Sequence, residues 1–134
     1  MNKPVVAVTR KLPPVTETRM MELFEARLNE NDRPLGAADI LAKCDGADVL
    51  VPTVTDVIDA DLIAALPDSI RLIANFGVGV NHIDLAAAAA RTIQVTNTPG
   101  VLTEDTADLT IALLLSVPRR LVEGERILRA GEWK

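Results

Sequence analysis

Two glycines separated by one valine stand where an apolar run ends, at Gly77 and Gly79. Glycine permits a backbone with φ > 0 and lets a ligand approach the main chain closely. Free backbone N–H groups at such a turn form a binding place for a small anion, such as a carboxylate or a phosphate. The amides of Val78 and Gly79 are therefore candidate anion ligands. The alternative is that the glycines only shape a tight connection between a strand and a helix.

This turn is not a dinucleotide-binding fingerprint. The stretch that begins at Gly77 is GVGVNHI, which lacks the third glycine of G-x-G-x-x-G, and the motif occurs nowhere else in the chain. One histidine and one cysteine do not make a ligand set, so we expect no metal site. Cys44 is predicted to be a small buried hydrophobe. We expect His82 to have a polar surface or capping role and not to act as an acid/base.

Composition limits the partners. The formal net charge of the 134 residues is −5, and no basic cluster is interleaved with aromatic residues. This argues against a nucleic acid or an anionic membrane surface as a partner. The longest apolar run, at 111–117, is too short to span a bilayer, and the first ten residues lack the apolar core of a signal peptide. We expect a soluble cytoplasmic protein.

Alternating strands and helices must position the turn. The patterns predict strands over 5–9, 47–54, 70–76 and 93–97, and helices over 16–28, 37–44, 59–67, 83–91 and from 103 onward. The polar segment 29–36 leaves room for a further short strand. Strands that are apolar without alternation indicate a parallel sheet covered on both faces, a doubly wound α/β layer. Pro52 should lie at a strand end, because proline cannot donate to a ladder.

The helix termini carry recognisable signals. Thr16 or Thr18 could cap the first helix, Asp84 stands at the start of another, and Thr103 suits the N-cap of the last. Pro118 should kink or restart that last helix. The helix is apolar nearly all round, so several of its side chains should lack partners, namely Leu113, Leu114, Leu115, Leu121, Ile127, Leu128 and Trp133. Such a surface indicates dimerisation or aggregation.

The segment from 71 to 134 resembles the D-isomer-specific 2-hydroxyacid dehydrogenases, in particular the glyoxylate and hydroxypyruvate reductase branch. The resemblance rests on a glycine-valine-glycine turn, an Ile-Asp helix start, an Asn-Thr-Pro-Gly corner and a Thr-Ala-Asp helix start. The matching positions are Gly77, Val78, Gly79, Ile83, Asp84, Asn97, Thr98, Pro99, Gly100, Thr106, Ala107 and Asp108. A Gly-x-Trp ending at Trp133 also fits the family, and the pattern of residues 1–70 agrees with it.

The resemblance implies a fold and a reaction. Residues 1–100 would form the N-terminal part of a flavodoxin-like substrate-binding domain, and 101–134 a helix crossing toward a Rossmann domain that lies outside this chain. The family transfers a hydride between NAD or NADP and a 2-oxo or 2-hydroxy acid, and a homodimer is expected. The resemblance places the substrate carboxylate on the amides of Val78 and Gly79.

Two further roles follow from the resemblance. Thr53 would line the substrate pocket, although a larger apolar residue is usual there. Thr106 would touch the cofactor near the interdomain cleft; the alternative is a hydroxyl that only satisfies the first helical turn. The catalytic arginine, glutamate and histidine of the family lie beyond the Gly-x-Trp segment. We therefore expect no catalytic residue within 1–134 and no activity from this part alone.

Three other interpretations stay open. The chain could be a stand-alone flavodoxin-like module for dimerisation or for binding a small carboxylate, without catalysis. A flavodoxin is weaker, because the first turn lacks a convincing phosphate loop and few aromatic residues could stack on a flavin. A response regulator is weaker still, since no acidic pair follows the first strand.

Overall fold

The structure is a computed structural model that describes residues 3–134. The chain divides into two compact units, one that reaches Pro99 and one that spans Gly100–Lys134. The elements in chain order are β1 (Val5–Val8), α1 (Pro14–Leu23), β2 (Glu25–Arg27), α2 (Ala37–Cys44), β3 (Val49–Val51), α3 (Ala60–Ala65), β4 (Leu72–Ala74), α4 (Leu85–Ala90), β5 (Gln94–Thr96), α5 (Thr103–Arg119) and α6 (Leu121–Arg129).

The first unit is built on a five-stranded parallel sheet with strand order β2-β1-β3-β4-β5. Side chains of β1 alternate between two apolar clusters: Ala7 belongs to the larger, while Val6 and Val8 belong to the smaller. Both faces of the sheet are therefore covered, as apolar strands without alternation require. The order is that of flavodoxin-like folds, which confirms the predicted α/β class.

The predicted helix over 16–28 is wrong in its second half. Helix α1 ends at Leu23, and residues 25–27 form β2, which pairs in parallel with β1. The spacing of Met20, Phe24 and Leu28 imitates a helical stripe, yet these side chains reach the smaller cluster from a helix, a corner and a strand exit. The further strand left open at 29–36 thus lies a few residues earlier.

The start of α1 also differs from the prediction. Its N-cap residue is Pro13 and no side chain caps it, so Thr16 and Thr18 lie within the helix. Pro14 occupies the first helical position, where its missing N–H costs no hydrogen bond. By contrast, Asp84 caps α4 as predicted, because its carboxylate accepts from the amide of Ala87 (2.9 Å). Pro52 follows the last residue of β3, as expected for proline.

The second unit consists of α5 and α6. Leu102 and not Thr103 is the N-cap residue of α5, and no side-chain hydrogen bond closes that end. Pro118 lies near the end of α5, and Arg120 adopts the left-handed conformation (φ 51°) before α6 begins. The predicted restart of the helix is confirmed. The apolar side chains predicted to lack partners are more than half exposed, except Ile127, which is half-buried.

Candidate functional site

The carboxyl ends of β3, β4 and β5 lie side by side, and this side of the sheet is called its carboxyl edge below. The amide of Phe76 donates to the carbonyl of Pro52 (2.9 Å), and Thr53 forms a parallel bridge with Phe76. The amide of Asn75 donates to the carbonyl of Thr96 (2.9 Å), which ties the exit of β4 to that of β5. Ligands of open α/β sheets bind outside the carboxyl ends of the strands. The turn that follows Phe76 lies at this edge.

The two glycines of the turn serve different purposes. A Cβ atom on Gly77 would lie 3.1 Å from Cγ1 of Val54 and 3.3 Å from Nδ2 of Asn75, whereas one on Gly79 would meet no heavy atom within 4 Å. Neither glycine has a φ in the left-handed region. The expectation that they supply φ > 0 is therefore wrong. Gly77 permits close packing, and Gly79 leaves open space beside its main chain.

The predicted amide donors are free for a ligand. Among residues 3–134, the nitrogens of Val78 and Gly79 donate no hydrogen bond to protein atoms. The side chain of Val78 is about 39% exposed, so water can reach this turn in the absence of a ligand. Two successive unpaired amides at the carboxyl edge of a sheet are suited to the two oxygens of a carboxylate.

The carbonyls of the same turn are all engaged. Nδ2 of Asn75 donates to the carbonyls of Gly77 (3.0 Å) and Gly79 (2.9 Å). Nδ2 of Asn97 donates to the carbonyl of the intervening valine (2.8 Å), and the amide of Thr98 donates to that of Gly77 (3.0 Å). The amide of Gly77 donates to the carbonyl of Asn75 (3.0 Å). The turn is thus held through its carbonyls and its first amide, while the amides of Val78 and Gly79 stay unoccupied.

Thr53 is held at the exit of β3 by a buried carboxylate. Its amide donates to Oδ2 of Asp56 (2.7 Å), and its hydroxyl lies 3.0 Å from that of Thr55. The same Oδ2 atom accepts from the buried hydroxyl of Thr9 at the end of β1 (2.6 Å). Asp56 therefore fixes the ends of β1 and β3 relative to each other.

Two clefts adjoin at this edge. One of about 310 Å³ is lined by Thr53, Val54 and Phe76, together with residues after β1. The other, of about 250 Å³, is lined by Val54, Gly79, Asn81 and His82. Because Val54 lines both, Thr53 and Gly79 face neighbouring spaces with the valine side chain between them.

His82 does not cap a helix, since Asp84 holds the N-cap of α4, and its side chain is only partly at the surface. It is half-buried, and its Nε2 atom lies 3.1 Å from Oδ1 of Asn75. Because Nδ2 of Asn75 already donates to two carbonyls, Oδ1 faces His82 and must accept there. The imidazole therefore carries a proton on Nε2 and donates it to Asn75.

Asn75 and Asp56 are two residues of this edge that the sequence patterns did not predict. Both are nearly fully buried, with 2% and 5% exposure, and both organise the edge through their side chains. The available signal was a polar residue directly after a buried apolar run at 75, and a carboxylate shortly after Pro52 at 56. Buried polar groups are almost always hydrogen-bonded, so each of these positions implied a network.

Charge beside the larger cleft is dominated by one ion pair. Nε of Arg10 lies 2.8 Å from Oδ1 of Asp32, and a second guanidinium nitrogen reaches Oδ2 at 3.1 Å. This hydrogen bonding, reinforced by the amide of Lys11, lowers the pKa of Asp32 to about 2. Arg10 also donates to the hydroxyl of Thr55 (2.8 Å), so its guanidinium is fixed at the rim.

Cys44 lies in the core, as predicted. It is fully buried at the end of α2, and burial raises the pKa of its thiol to about 11. A thiol with so high a pKa is a poor nucleophile at neutral pH. Cys44 therefore has no part in the chemistry of the edge.

Thr106 lies in the second unit, on the exposed face of α5. Its carbonyl accepts from the hydroxyl of Thr110 (2.7 Å), and its amide donates to the carbonyl of Leu102 (2.9 Å). Its own hydroxyl makes no hydrogen bond within residues 3–134, so the alternative that it only satisfies the first turn has no support. The side chain is free to meet another group.

Features that would indicate a metal ion, a membrane span or a dinucleotide phosphate are absent from the described part of the chain. No cluster of three His, Cys, Asp or Glu side chains within residues 3–134 could hold a metal ion. No helix in the same range is long and apolar enough to cross a membrane. The seven glycines of the sequence include no phosphate-binding G-x-G-x-x-G.

Comparison with known proteins settles the family. Residues 6–127 match the family described as D-isomer specific 2-hydroxyacid dehydrogenase, catalytic domain. This chain belongs to the D-isomer-specific 2-hydroxyacid dehydrogenases. The resemblance noted from the motifs is thereby confirmed.

Relatives within the family include glyoxylate reductases. The enzyme of Korarchaeum cryptofilum is 43% identical over 132 residues and that of Thermococcus litoralis 42%; in each case the match covers 98% of this chain and 40% of the relative. A solved NADPH-dependent glyoxylate/hydroxypyruvate reductase from Sinorhizobium meliloti, in complex with NADP and malonate, superposes with a TM-score of 0.82 at 37% identity, over 98% of this chain and 40% of that one. The chain thus spans about two fifths of the length of these dehydrogenases.

Proposed function

We propose that this chain is the N-terminal part of an oxidoreductase that transfers a hydride between NAD(P)H and a 2-oxo acid, glyoxylate or hydroxypyruvate. The observation that carries the proposal is the free amide pair of Val78 and Gly79 at the carboxyl edge of the sheet. The substrate is a small carboxylic acid, and its carboxylate needs two aligned donors. The glyoxylate reductases among the relatives favour the same substrate class.

The proposed substrate position follows from the edge geometry. The carboxylate accepts from the amides of Val78 and Gly79, next to the space that the missing side chain of Gly79 leaves open. Thr53 lines the adjoining cleft and faces the rest of the substrate. Val78, Gly79 and Thr53 bind the substrate and take no part in the hydride transfer, because none of them has an acidic, basic or cationic side chain.

The division of labour in the intact enzyme is part of the proposal. Residues 1–100 form the substrate-binding part, and 101–134 form the helix that crosses toward the cofactor-binding domain. Thr106 touches the nicotinamide cofactor, NAD or NADP, which supplies the hydride when bound. The catalytic arginine, glutamate and histidine lie outside 1–134, so this part alone does not turn over substrate.

We also propose a homodimer with a cytoplasmic location. Helices α5 and α6 expose an apolar surface in which Leu113, Leu114 and Leu121 are more than half exposed. A second copy of the same surface would bury these side chains. The free thiol of Cys44 fits a reducing compartment.

A chimera tests the function directly. Residues 1–134 replace the matching segment of the Thermococcus litoralis glyoxylate reductase, of which this chain covers 40%. Oxidation of NADH and NADPH by glyoxylate and by hydroxypyruvate is then followed by loss of the reduced cofactor's absorbance. We expect turnover by the chimera and none by the 134-residue chain. Turnover by the chain alone, or an inactive but folded chimera, contradicts the proposal.

A second candidate is a stand-alone module that binds a small carboxylate or dimerises without catalysis. It is favoured by one observation: the amide pair and the apolar helix surface are both present within residues 3–134. Binding of oxalate by the chain, combined with a folded chimera that cannot oxidise NADH or NADPH, would favour this candidate over the dehydrogenase.

A further inference from the structure

The four carbonyls of the segment 77–80 all accept hydrogen bonds. Those of the first three residues accept from Asn75, Asn97 and the amide of Thr98, and that of Val80 accepts from the amide of Ile83 (3.0 Å). The amides of the second and third residues of this segment donate to no protein atom within residues 3–134. The amide of Val80 likewise donates to no protein atom within residues 3–134, whereas that of Gly77 donates to the carbonyl of Asn75 (3.0 Å). The segment is thus asymmetric, with every acceptor engaged and three consecutive donors free.

Because peptide groups are planar, the hydrogen bonds to these carbonyls also fix the directions of the N–H groups that follow them. In a trans peptide the N–H of one residue points opposite to the carbonyl of the residue before it, and the described chain has no cis peptide bond. The carbonyl of Gly77 therefore fixes the direction of the Val78 N–H. The carbonyl of Val78 in turn fixes that of the Gly79 N–H. The first of these carbonyls is held by Asn75 and the second by Asn97.

The two asparagines differ in how they are themselves held. Asn75 is only 2% exposed, and all the hydrogen-bonding groups of its side chain have partners. Its Nδ2 group donates to two carbonyls, and its Oδ1 atom accepts from the imidazole of His82. Asn97 is exposed and makes a single side-chain hydrogen bond within residues 3–134. One donor is thus built into the fold, whereas the other reaches over from the exit of β5.

We propose that Asn75 and Asn97 are positioning residues for substrate binding, which aim the Val78 and Gly79 amides by holding the carbonyls that precede them. His82 supports Asn75 by fixing its carboxamide in the orientation that presents Nδ2 to the turn. This inference rests on the proposed function, in which those amides receive the substrate carboxylate. It assigns none of the three side chains a contact with the substrate.

Asn97→Ala is the informative substitution. The side chain is exposed, so its removal should leave folding intact, and it deletes one hydrogen bond to the Val78 carbonyl. Gln94→Ala is the matched control, because Gln94 is an exposed carboxamide residue of the preceding strand whose side chain makes no hydrogen bond within residues 3–134. Both variants lose a carboxamide, but only Asn97→Ala loses a hydrogen bond to the turn.

The experiment uses the ¹⁵N-labelled 134-residue chain and oxalate as the probe, a stable mimic of a 2-oxo acid carboxylate. We expect oxalate to shift the amide signals of Val78 and Gly79. We expect Asn97→Ala to weaken that binding about five-fold, as the loss of one hydrogen bond implies. The Gln94→Ala variant should bind as the unsubstituted chain does, and the thermal unfolding midpoints of both variants should agree.

The order parameter of the Gly79 amide, measured without oxalate, separates this inference from the proposed function. It should fall in Asn97→Ala and stay unchanged in Gln94→Ala. An unchanged order parameter together with unchanged oxalate affinity in Asn97→Ala overturns the positioning role. An unsubstituted chain whose amides ignore oxalate overturns the carboxylate site itself and with it the role in substrate binding, even if Asn97→Ala loosens the turn.

Discussion

Cγ1 of Val54 lies 3.1 Å from the point that a Cβ atom would occupy on Gly77. The residue after the exit of β3 therefore packs so closely against the turn after β4 that a side chain at Gly77 would fit only if Val54 moved. At Gly79, two residues further on, the corresponding point is open. The two glycines form a natural pair for comparing packing with access.

We predict that Gly77→Ala lowers the free energy of unfolding by about 1 kcal/mol. Overpacking in a well-packed site costs roughly 1–3 kcal/mol, offset in part by the smaller conformational freedom of the unfolded alanine chain. Gly79→Ala meets no protein atom and should leave stability unchanged or raise it by up to about 1 kcal/mol. Urea unfolding of the two variants checks this order, and equal losses would contradict it.

The buried carboxylate of Asp56 should be a major stabilising group. Asp56→Ala leaves the Thr53 amide without its acceptor and the Thr9 hydroxyl with only the longer hydrogen bond to the carbonyl of Val51 (3.3 Å), which we expect to cost about 2 kcal/mol of unfolding free energy. Asp56→Asn keeps an oxygen acceptor without its charge and should cost less. Asp45→Ala, at an exposed carboxylate, is the control. A loss at Asp56→Ala no greater than that at Asp45→Ala would count against the network.

The Arg10–Asp32 pair should make stability depend on pH in acid. The pKa of Asp32 is lowered to about 2 in the folded chain, below its ordinary value near 4. The pair therefore stabilises fully above pH 4, and its contribution is lost as pH falls from about 4 to about 2. In Asp32→Asn this part of the acid destabilisation should disappear. Unfolding midpoints of both chains across this pH range provide the measurement, and parallel curves would refute the prediction.

Cys44 should be protected from alkylation until the chain unfolds. Burial raises the pKa of its thiol to about 11, so thiolate is scarce at pH 8 and the sulfur is also sterically closed. We expect iodoacetamide to label the urea-unfolded chain readily and the folded chain only as fast as it opens. Rapid labelling of the folded chain, followed by intact mass, would contradict this placement of the thiol.

The proposed dimer surface can be tested with a charge. Leu114 on α5 is 70% exposed and Val15 on α1 is 78% exposed, in different units of the chain. Leu114→Glu should shift the sedimentation behaviour from dimer to monomer, because a carboxylate would be buried at the interface. Val15→Glu should leave it unchanged. A dimer that survives Leu114→Glu places the interface elsewhere.

Local sequence patterns were sufficient to predict most of the fold. Continuous apolar strands predicted the buried parallel sheet, and Asp84 predicted the start of α4 correctly. Strand β2 could not be found this way, because Glu25 and Arg27 carry no apolar signal and the strand exists through main-chain pairing with β1. A three-residue edge strand leaves little trace in a hydrophobic pattern.

The site was predictable only in part, for a related reason. The amides of Val78 and Gly79 followed from the glycine spacing, but the groups that hold them did not. Asn97 is 19 residues from the carbonyl it binds, and His82 is seven residues from Asn75. The first contact arises when β4 and β5 come together, and the second when the loop after β4 folds back on Asn75. Hydrophobic periodicity contains no information about either. The close packing that requires glycine at position 77 was equally hidden, because Val54 comes from the turn after β3.

The interior place of β1, between β2 and β3, affects how the sheet forms during synthesis. Val8, near the N-terminus, pairs with Val51, which is synthesised 43 residues later. At roughly 5–20 residues per second, the ribosome needs roughly 2 to 9 seconds to deliver that partner. Until then the apolar strand VVAV is without its neighbour on one side, and the sheet is complete only once β5 has been made. The nascent chain therefore exposes apolar strand surface for seconds before its sheet can close.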